Sequence, residues 1–228
     1  MKLRTLGWLL ACAGLPSAAL AASLAMPVES GGAFNVRVTS LKEAQFRNTV
    51  RQQKDFSCGS AAVATLLSAQ YGQVVGEQEV FKEMFDHGDP VKIRVQGFSM
   101  LDMKRYLDAH GYRADGFITT MDKLAAAGLP AIVLIRDNGY NHFVVLKGVK
   151  GERVLLGDPS RGTRAMSRAG FESLWINRLA LVAREHREQV SFNQEADWRT
   201  APAGPLELGL NRDVFSSTLL MLRGASDF

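Results

Sequence analysis

Apolar positions divide this chain into a helical half and a strand-rich half. Cys58 to Leu67 is small and apolar throughout and reads as a buried helix, with Asp55 and Ser57 as candidate caps just ahead of it. Glu77 to Phe85 is a second helical stretch. His87-Gly88-Asp89-Pro90 breaks it, and a loop is expected from there to Gly97. From Ser99 to His110, apolar residues recur at Met100, Leu101, Met103, Tyr106 and Leu107, and Gly111 ends the run as it ends a capped helix. Tyr112 to Ile118 reads as a strand and Met121 to Ala127 as a short helix.

Beyond Ala131 the spacing changes. Ala131 to Ile135 is a dense apolar run, Asp137-Asn138-Gly139 carries strong turn chemistry, and His142 to Leu146 is the next run. Lys150-Gly151-Glu152 turns the chain into Val154 to Asp158. Thr163 to Met166 and Leu179 to Ala183 complete an antiparallel sheet, with a short helix at Phe171 to Trp175. Helices first and strands later predict an α+β domain in which N-terminal helices pack on an antiparallel sheet. Residues 22–45 read as an extended N-terminal segment, 46–185 as the domain, and 186–228 as a C-terminal extension. That extension is polar at first, has Pro202 and Pro205 in a linker, and closes on an amphipathic stretch from Asp213 to Arg223.

The first residues read as a leader. Lys2 and Arg4 precede an apolar run from Leu6 to Leu20, and Ala19-Leu20-Ala21 has the small-x-small pattern of a signal-peptidase site, giving a signal peptide over residues 1–21. Pro16 breaks the run, which is short for a membrane span. Leu9-Leu10-Ala11-Cys12 faintly resembles a lipoprotein box, but almost no hydrophobic region precedes Cys12. An exported, periplasmic protein with no stable membrane span after cleavage is therefore expected. The whole chain carries 27 Lys and Arg against 23 Asp and Glu. Without Lys2 and Arg4 the balance is 25 against 23, a net +2 that leaves no footprint for nucleic acid or an anionic membrane.

Cleavage also discards Cys12, so Cys58 is the one thiol of the exported chain. It has no internal disulfide partner in an oxidising compartment. A small buried residue is the bland alternative. Its place at a helix start suggests chemistry instead, because unpaired N–H groups and the helix dipole favour a thiolate there. Of the histidines, His87, His110 and His186 have no metal-like spacing and read as surface or packing residues, whereas His142 opens an apolar strand at the rim of the sheet. With the hairpin centred near Gly151, paired numbers sum to about 302 and Asp158 faces Val144. His142 lies two residues along on the same face, a diagonal of about 7–8 Å. Cys58, His142 and Asp158 thus have the types required of nucleophile, base and orienter.

The segment Gln52-Gln53-Lys54-Asp55-Phe56-Ser57-Cys58-Gly59 resembles the glutamine-(x)5-cysteine-glycine motif of peptidase family C39. His142-Phe143-Val144-Val145 and Asp158-Pro159 are similar to that family's histidine and aspartate motifs, and Gly97-Phe98-Ser99-Met100-Leu101-Asp102 resembles a block of its stand-alone bacterial members. The resemblance runs from Phe46 to Arg184. It implies a papain-like fold, with Gln52 contributing to the oxyanion hole and no cofactor. Ser57 stands where many members have aspartate. Exporter-fused members act in the cytoplasm; this chain looks more like free periplasmic members, including one encoded with a functional-amyloid system. The expected activity is an exported cysteine endopeptidase acting on a secreted protein or peptide, with a secretion system as a further partner. Two alternatives are a non-catalytic C39-like module that binds a leader for secretion, and a peptidoglycan amidase of the NlpC/P60 kind. The complete Cys, His and Asp set speaks against the first; Gln52 and Asp158 disfavour the second.

Overall fold

The structure, a computed structural model, describes residues 39–201 together with the backbone of two short strands ahead of them. Those strands, β1 (Ser23–Pro27) and β2 (Ala33–Arg37), pair antiparallel in a unit that ends at Ser40. The expected leader and the amphipathic stretch at Asp213 to Arg223 lie outside the described residues.

The second unit begins with α1 (Leu41–Gln45). An extended segment was expected through residue 45, but Leu41, Lys42, Ala44 and Gln45 are good helix formers and close one turn. Helix α2 (Cys58–Thr65) is buried at every position, as its unbroken run of small and apolar residues requires. It widens at Leu66–Gln70 into a π-helical turn, where the Tyr71 N–H reaches back to the Leu66 carbonyl at 3.3 Å. Helix α3 is Glu77–His87. The expected loop up to Gly97 is instead helix α4 (Pro90–Gln96). Asp89 caps it, accepting from the N–H groups of Val91 and Lys92, and Pro90 fills the first helical turn, where its missing N–H is harmless. The Asp-Pro pair is a helix start here, not a breaker. Helix α5 (Met100–Ala109) opens on a reciprocal cap in which Ser99 Oγ accepts from the Asp102 N–H and the Asp102 carboxylate accepts from the Ser99 N–H at 2.8 Å.

The remaining elements are β3 (Ala114–Ile118), α6 (Met121–Ala127), β4 (Ala131–Asp137), β5 (Tyr140–Lys150), β6 (Arg153–Asp158), β7 (Gly162–Ser167), α7 (Arg168–Leu174) and β8 (Trp175–Ala183). The strands form one antiparallel six-stranded sheet in the order β3-β8-β4-β5-β6-β7. Alternate residues of the central strands feed two cores. Ile132, Phe143 and Val145 join Val63, Leu67 and Met103 from the α2–α5 side. Val133, Ile135, Val144 and Leu146 join Met121 from α6 and Phe171 from α7. Burial on both faces is why these strands read as continuous apolar runs.

Packing continues past Arg187. Val190 and Phe192 lean on the second core, and helix α8 (Glu195–Thr200) buries Trp198 against Leu155. Among the described residues no helix is long and apolar enough to cross a membrane.

Candidate active site

Cys58 is the first residue of α2 and is 8% exposed. Neither expected cap serves the helix: Asp55 is exposed, and the Ser57 hydroxyl is turned back on Lys54, accepting its N–H and reaching its carbonyl, each at 3.1 Å. No side chain caps the first turn of α2, so its N–H groups stay available beside the sulfur. Gly59 is there because nothing larger fits: a Cβ would lie 2.9 Å from Cβ of Phe98, which the Gly97-to-Asp102 block brings up against α2.

His142 lies on β5 near the turn from β4, with its side chain 16% exposed. Its Nε2 donates to Asp158 Oδ1 at 2.7 Å. That leaves Nδ1 as the ring nitrogen for Cys58, which lies within hydrogen-bonding reach of the ring. Burial works against a charge on the imidazole. Hydrogen bonds to Asp158 and Cys58, and their charges, outweigh it and push the pKa up to about 9.

Asp158 is buried, which alone raises a carboxyl pKa, yet the His142 hydrogen bond and charge, the Ser160 hydroxyl and the Arg164 guanidinium hold it well below the ordinary carboxylate range. Its Oδ1 also accepts from the Ser160 N–H at 2.9 Å and the Ser160 hydroxyl at 2.7 Å, and its Oδ2 accepts from Arg164 Nε at 2.9 Å. Sequence reading missed both partners. The signals were present. An aspartate followed two residues later by serine favours a side-chain-to-backbone turn, and Gly162 pairs with Asp158, so Arg164 stands two residues along on the same face. Arg161 binds Asp137 at 2.9 Å, and Asn141 accepts from Arg136 at 3.1 Å. Asp158, and neither of those two, is the partner of His142.

The register behind this contact departs from the expected one at the turn. Lys150 pairs with Arg153, Val149 with Val154 and Gly148 with Leu155, while Leu146 pairs with Leu156 and Val145 with Gly157. The hairpin thus centres between Gly151 and Glu152, and a β-bulge at Lys147 shifts the pairing by one before the site. That shift restores the expected sum of 302 at Val145–Gly157, the pair next to the expected Asp158–Val144 position.

Gln52 is tied to the same corner: its N–H donates to the Pro159 carbonyl at 3.0 Å. Its side-chain Nε2 donates to the Lys54 carbonyl at 3.1 Å, and its buried Oε1 has no hydrogen-bond partner. Gln53 accepts from Gln78 of α3 at 2.8 Å and is exposed. His87 and His110 bond helix carbonyls, and His186 stacks edge-on to Tyr112. None of the three joins the site.

The arrangement is a thiol, an imidazole and a carboxylate in series at a helix start. A family model described as the Peptidase C39 family matches residues 47–187. The "Probable functional amyloid protease FapD" of Pseudomonas aeruginosa is 44% identical over 156 residues, covering 68% of this chain and 69% of that protein. Its counterpart of the same name in Pseudomonas fluorescens is 42% identical over 175 residues, covering 77% and 76%. Among solved structures, the peptidase domain of Streptococcus ComA, a bi-functional ABC transporter involved in a quorum sensing pathway, superposes with a TM-score of 0.50 at 22% identity, over 60% of this chain and 98% of that one. That last likeness is one of fold, a papain-like one. The motifs around Cys58, His142 and Asp158 and these matches lead to one conclusion: the chain belongs to the peptidase C39 family.

Proposed function

We propose that this chain is an exported cysteine endopeptidase that processes a secreted protein in functional-amyloid export. Cys58 is the nucleophile, His142 the acid and base, Asp158 the orienter and Gln52 an oxyanion donor. The observation that carries the reading is the His142 ring, bonded to Asp158 at 2.7 Å through Nε2 and within reach of the Cys58 sulfur. The family and the protease named in both Pseudomonas relatives support it.

The chemistry follows from the proton inventory. The Cys58 sulfur, its proton passed to His142, attacks the scissile carbonyl carbon and forms a C–S bond. The carbonyl oxygen becomes an oxyanion, which the Cys58 N–H and the Gln52 amide would hold once Gln52 exchanges the Lys54 carbonyl for it. The imidazolium gives its proton to the leaving nitrogen as the C–N bond breaks. Water then loses a proton to His142 and attacks the thioester, the acid leaves, and the thiol is restored. Asp158 keeps the ring in one tautomer throughout, with Nε2–H held and Nδ1 free to exchange protons.

The substrate reading is an exported segment, cut after a small residue within an extended, unstructured stretch, because a papain-like cleft binds substrate backbone that a folded domain cannot present. Removal of the expected leader would place the encounter in the periplasm. Peptides carrying Gly, Ala, Leu or Phe just before the cleaved bond test this. Gly and Ala peptides are expected to be cut and Leu and Phe peptides rejected by clash. Equal cleavage of Gly and Phe peptides contradicts it.

A further inference from the structure

The bulge at Lys147 decides which side of the β5–β6 hairpin Asp158 occupies. From Lys150 to Gly148 the paired numbers sum to 303; from Leu146 onward they sum to 302. Had the first register continued, Asp158 would face Val145, which belongs to the α2–α5 core, and its side chain would leave the His142 side of the pleat. With Lys147 as the extra residue, the pairing carried one step beyond Val145–Gly157 puts Asp158 across from Val144, on the side of its hydrogen-bond partner His142.

What holds that extra residue lies mostly beyond the stretch matched by the family model. Lys147 has no exposed side chain, and its ammonium binds Asp197 Oδ2 of α8 at 2.6 Å and the Asn48 carbonyl at 2.8 Å. Asn48 Nδ2 closes the ring onto Asp197 Oδ1 at 2.8 Å. Burial pushes the Lys147 pKa down, and Asp197 opposes this. Asn193, in the left-handed region at φ 59°, donates its N–H to the Lys147 carbonyl at 2.9 Å and accepts the Val149 N–H on Oδ1 at 2.7 Å. The Asn193 side chain occupies the space a Cβ at Gly148 would need. On the outer side, Lys150 pairs with Glu195, and the Arg153 guanidinium lies 5.4 Å over the Trp198 ring.

We propose that Lys147, Asn193 and Asp197 are positioning residues for the reactive site, holding the extra residue of β5 that keeps Asp158 on the His142 side of the hairpin. A buried lysine is expensive to keep unless paired, so the network ties the bulge to the segment around Asn193 and Asp197. The consequence for turnover rests on the peptidase reading; the placement of Asp158 does not.

The test reads that placement directly. In the full chain, the ring N–H proton that His142 donates to Asp158 is followed as a downfield proton NMR resonance, assigned by its loss from His142→Gln, alongside peptide turnover. Asp197→Asn and Asn193→Ala, checked as folded by circular dichroism, are expected to lose the resonance, with turnover down by about 10²-fold as a misplaced orienter implies. Phe171→Leu, which loosens the opposite core, is expected to keep both. A wild-type resonance in either Asn193→Ala or folded Asp197→Asn overturns the proposal, as does its equal loss from Phe171→Leu. A wild-type chain that shows the resonance but cleaves no peptide contradicts the peptidase reading, and the variants' resonances still decide the clamp.

Discussion

Asp158 meets more donors than a carboxylate needs for orientation alone: His142, the Ser160 N–H and hydroxyl, and Arg164. Burial would favour its neutral form, and these contacts reverse that preference. Asp158→Asn keeps the volume and removes the charge. It is expected to retain the fold and lower turnover by up to about 10⁴-fold, the loss seen when a serine triad loses its orienter. Steady-state kinetics against Asp137→Asn checks it; full activity of Asp158→Asn with an inactive Asp137→Asn would give the role to the other aspartate. His142 sets a pH signature. Its folded pKa of about 9 lies above the ordinary histidine value of about 6.5, so the proton it holds stabilises the native state fully below about pH 6.5, and that contribution is lost as pH rises through 9. Urea midpoints of the wild type are therefore expected to fall between pH 6.5 and 9, and those of His142→Gln to lose this component. Turnover is expected to decline over the same upper limb as the imidazolium is lost. A wild-type stability independent of pH across that interval would contradict the pairing.

At the level of elements, α2 and the strands of the β5–β6 hairpin were legible because each carries a single strong pattern. An all-apolar helix stands out, and so do dense runs separated by Asn-Gly and Lys-Gly-Glu turns. Helix α4 was hidden because Asp89-Pro90 fits a turn as well as a helix start, and the cap that distinguishes them lies in three dimensions. The Lys147 bulge was hidden because it depends on Asn48, Asn193 and Asp197, all far away in sequence. The expected diagonal between His142 and Asp158 is nonetheless closed by a hydrogen bond at 2.7 Å, since a turn placed half a residue early offset a bulge that no local signal announces. The Gly59–Phe98 joint makes a measurable demand of its own. Gly59→Ala gains helix propensity of at most about 1 kcal/mol, against about 1–3 kcal/mol for forcing a methyl onto the Phe98 Cβ at 2.9 Å. A net loss of roughly 1–2 kcal/mol in urea denaturation is expected. A higher midpoint would mean that the Phe98 segment ahead of α5 is not packed this tightly on α2.

Taken as a whole, the domain is a sheet covered on both faces, with Cys58, His142 and Asp158 at one corner where α2 and β5 begin and β6 ends. The expected boundary at Glu185 came from the polar composition beyond it, yet Trp198 and Asp197 are buried there. Polar composition hid this because the anchoring contacts are an ion pair and scattered apolar side chains, Val190, Phe192 and Trp198, rather than an apolar stripe. A chain ending at Arg187, where the family match ends, removes Asp197 from the Lys147 ammonium. Breaking a buried pair costs roughly 3–5 kcal/mol, a large part of the stability of a domain this size. Such a chain is expected to unfold at markedly lower urea than one ending at Ala201; equal midpoints would show that α8 contributes nothing to the domain. The claim on which the functional reading depends is that the Cys58 sulfur is the reacting atom. Cleavage of an extended glycine-containing peptide by purified wild type and Cys58→Ala, with circular dichroism on both, measures this directly. Alanine suits a helix start, so the variant is expected to fold as the wild type does and to have no detectable turnover. Undiminished cleavage by Cys58→Ala would contradict the mechanism outright.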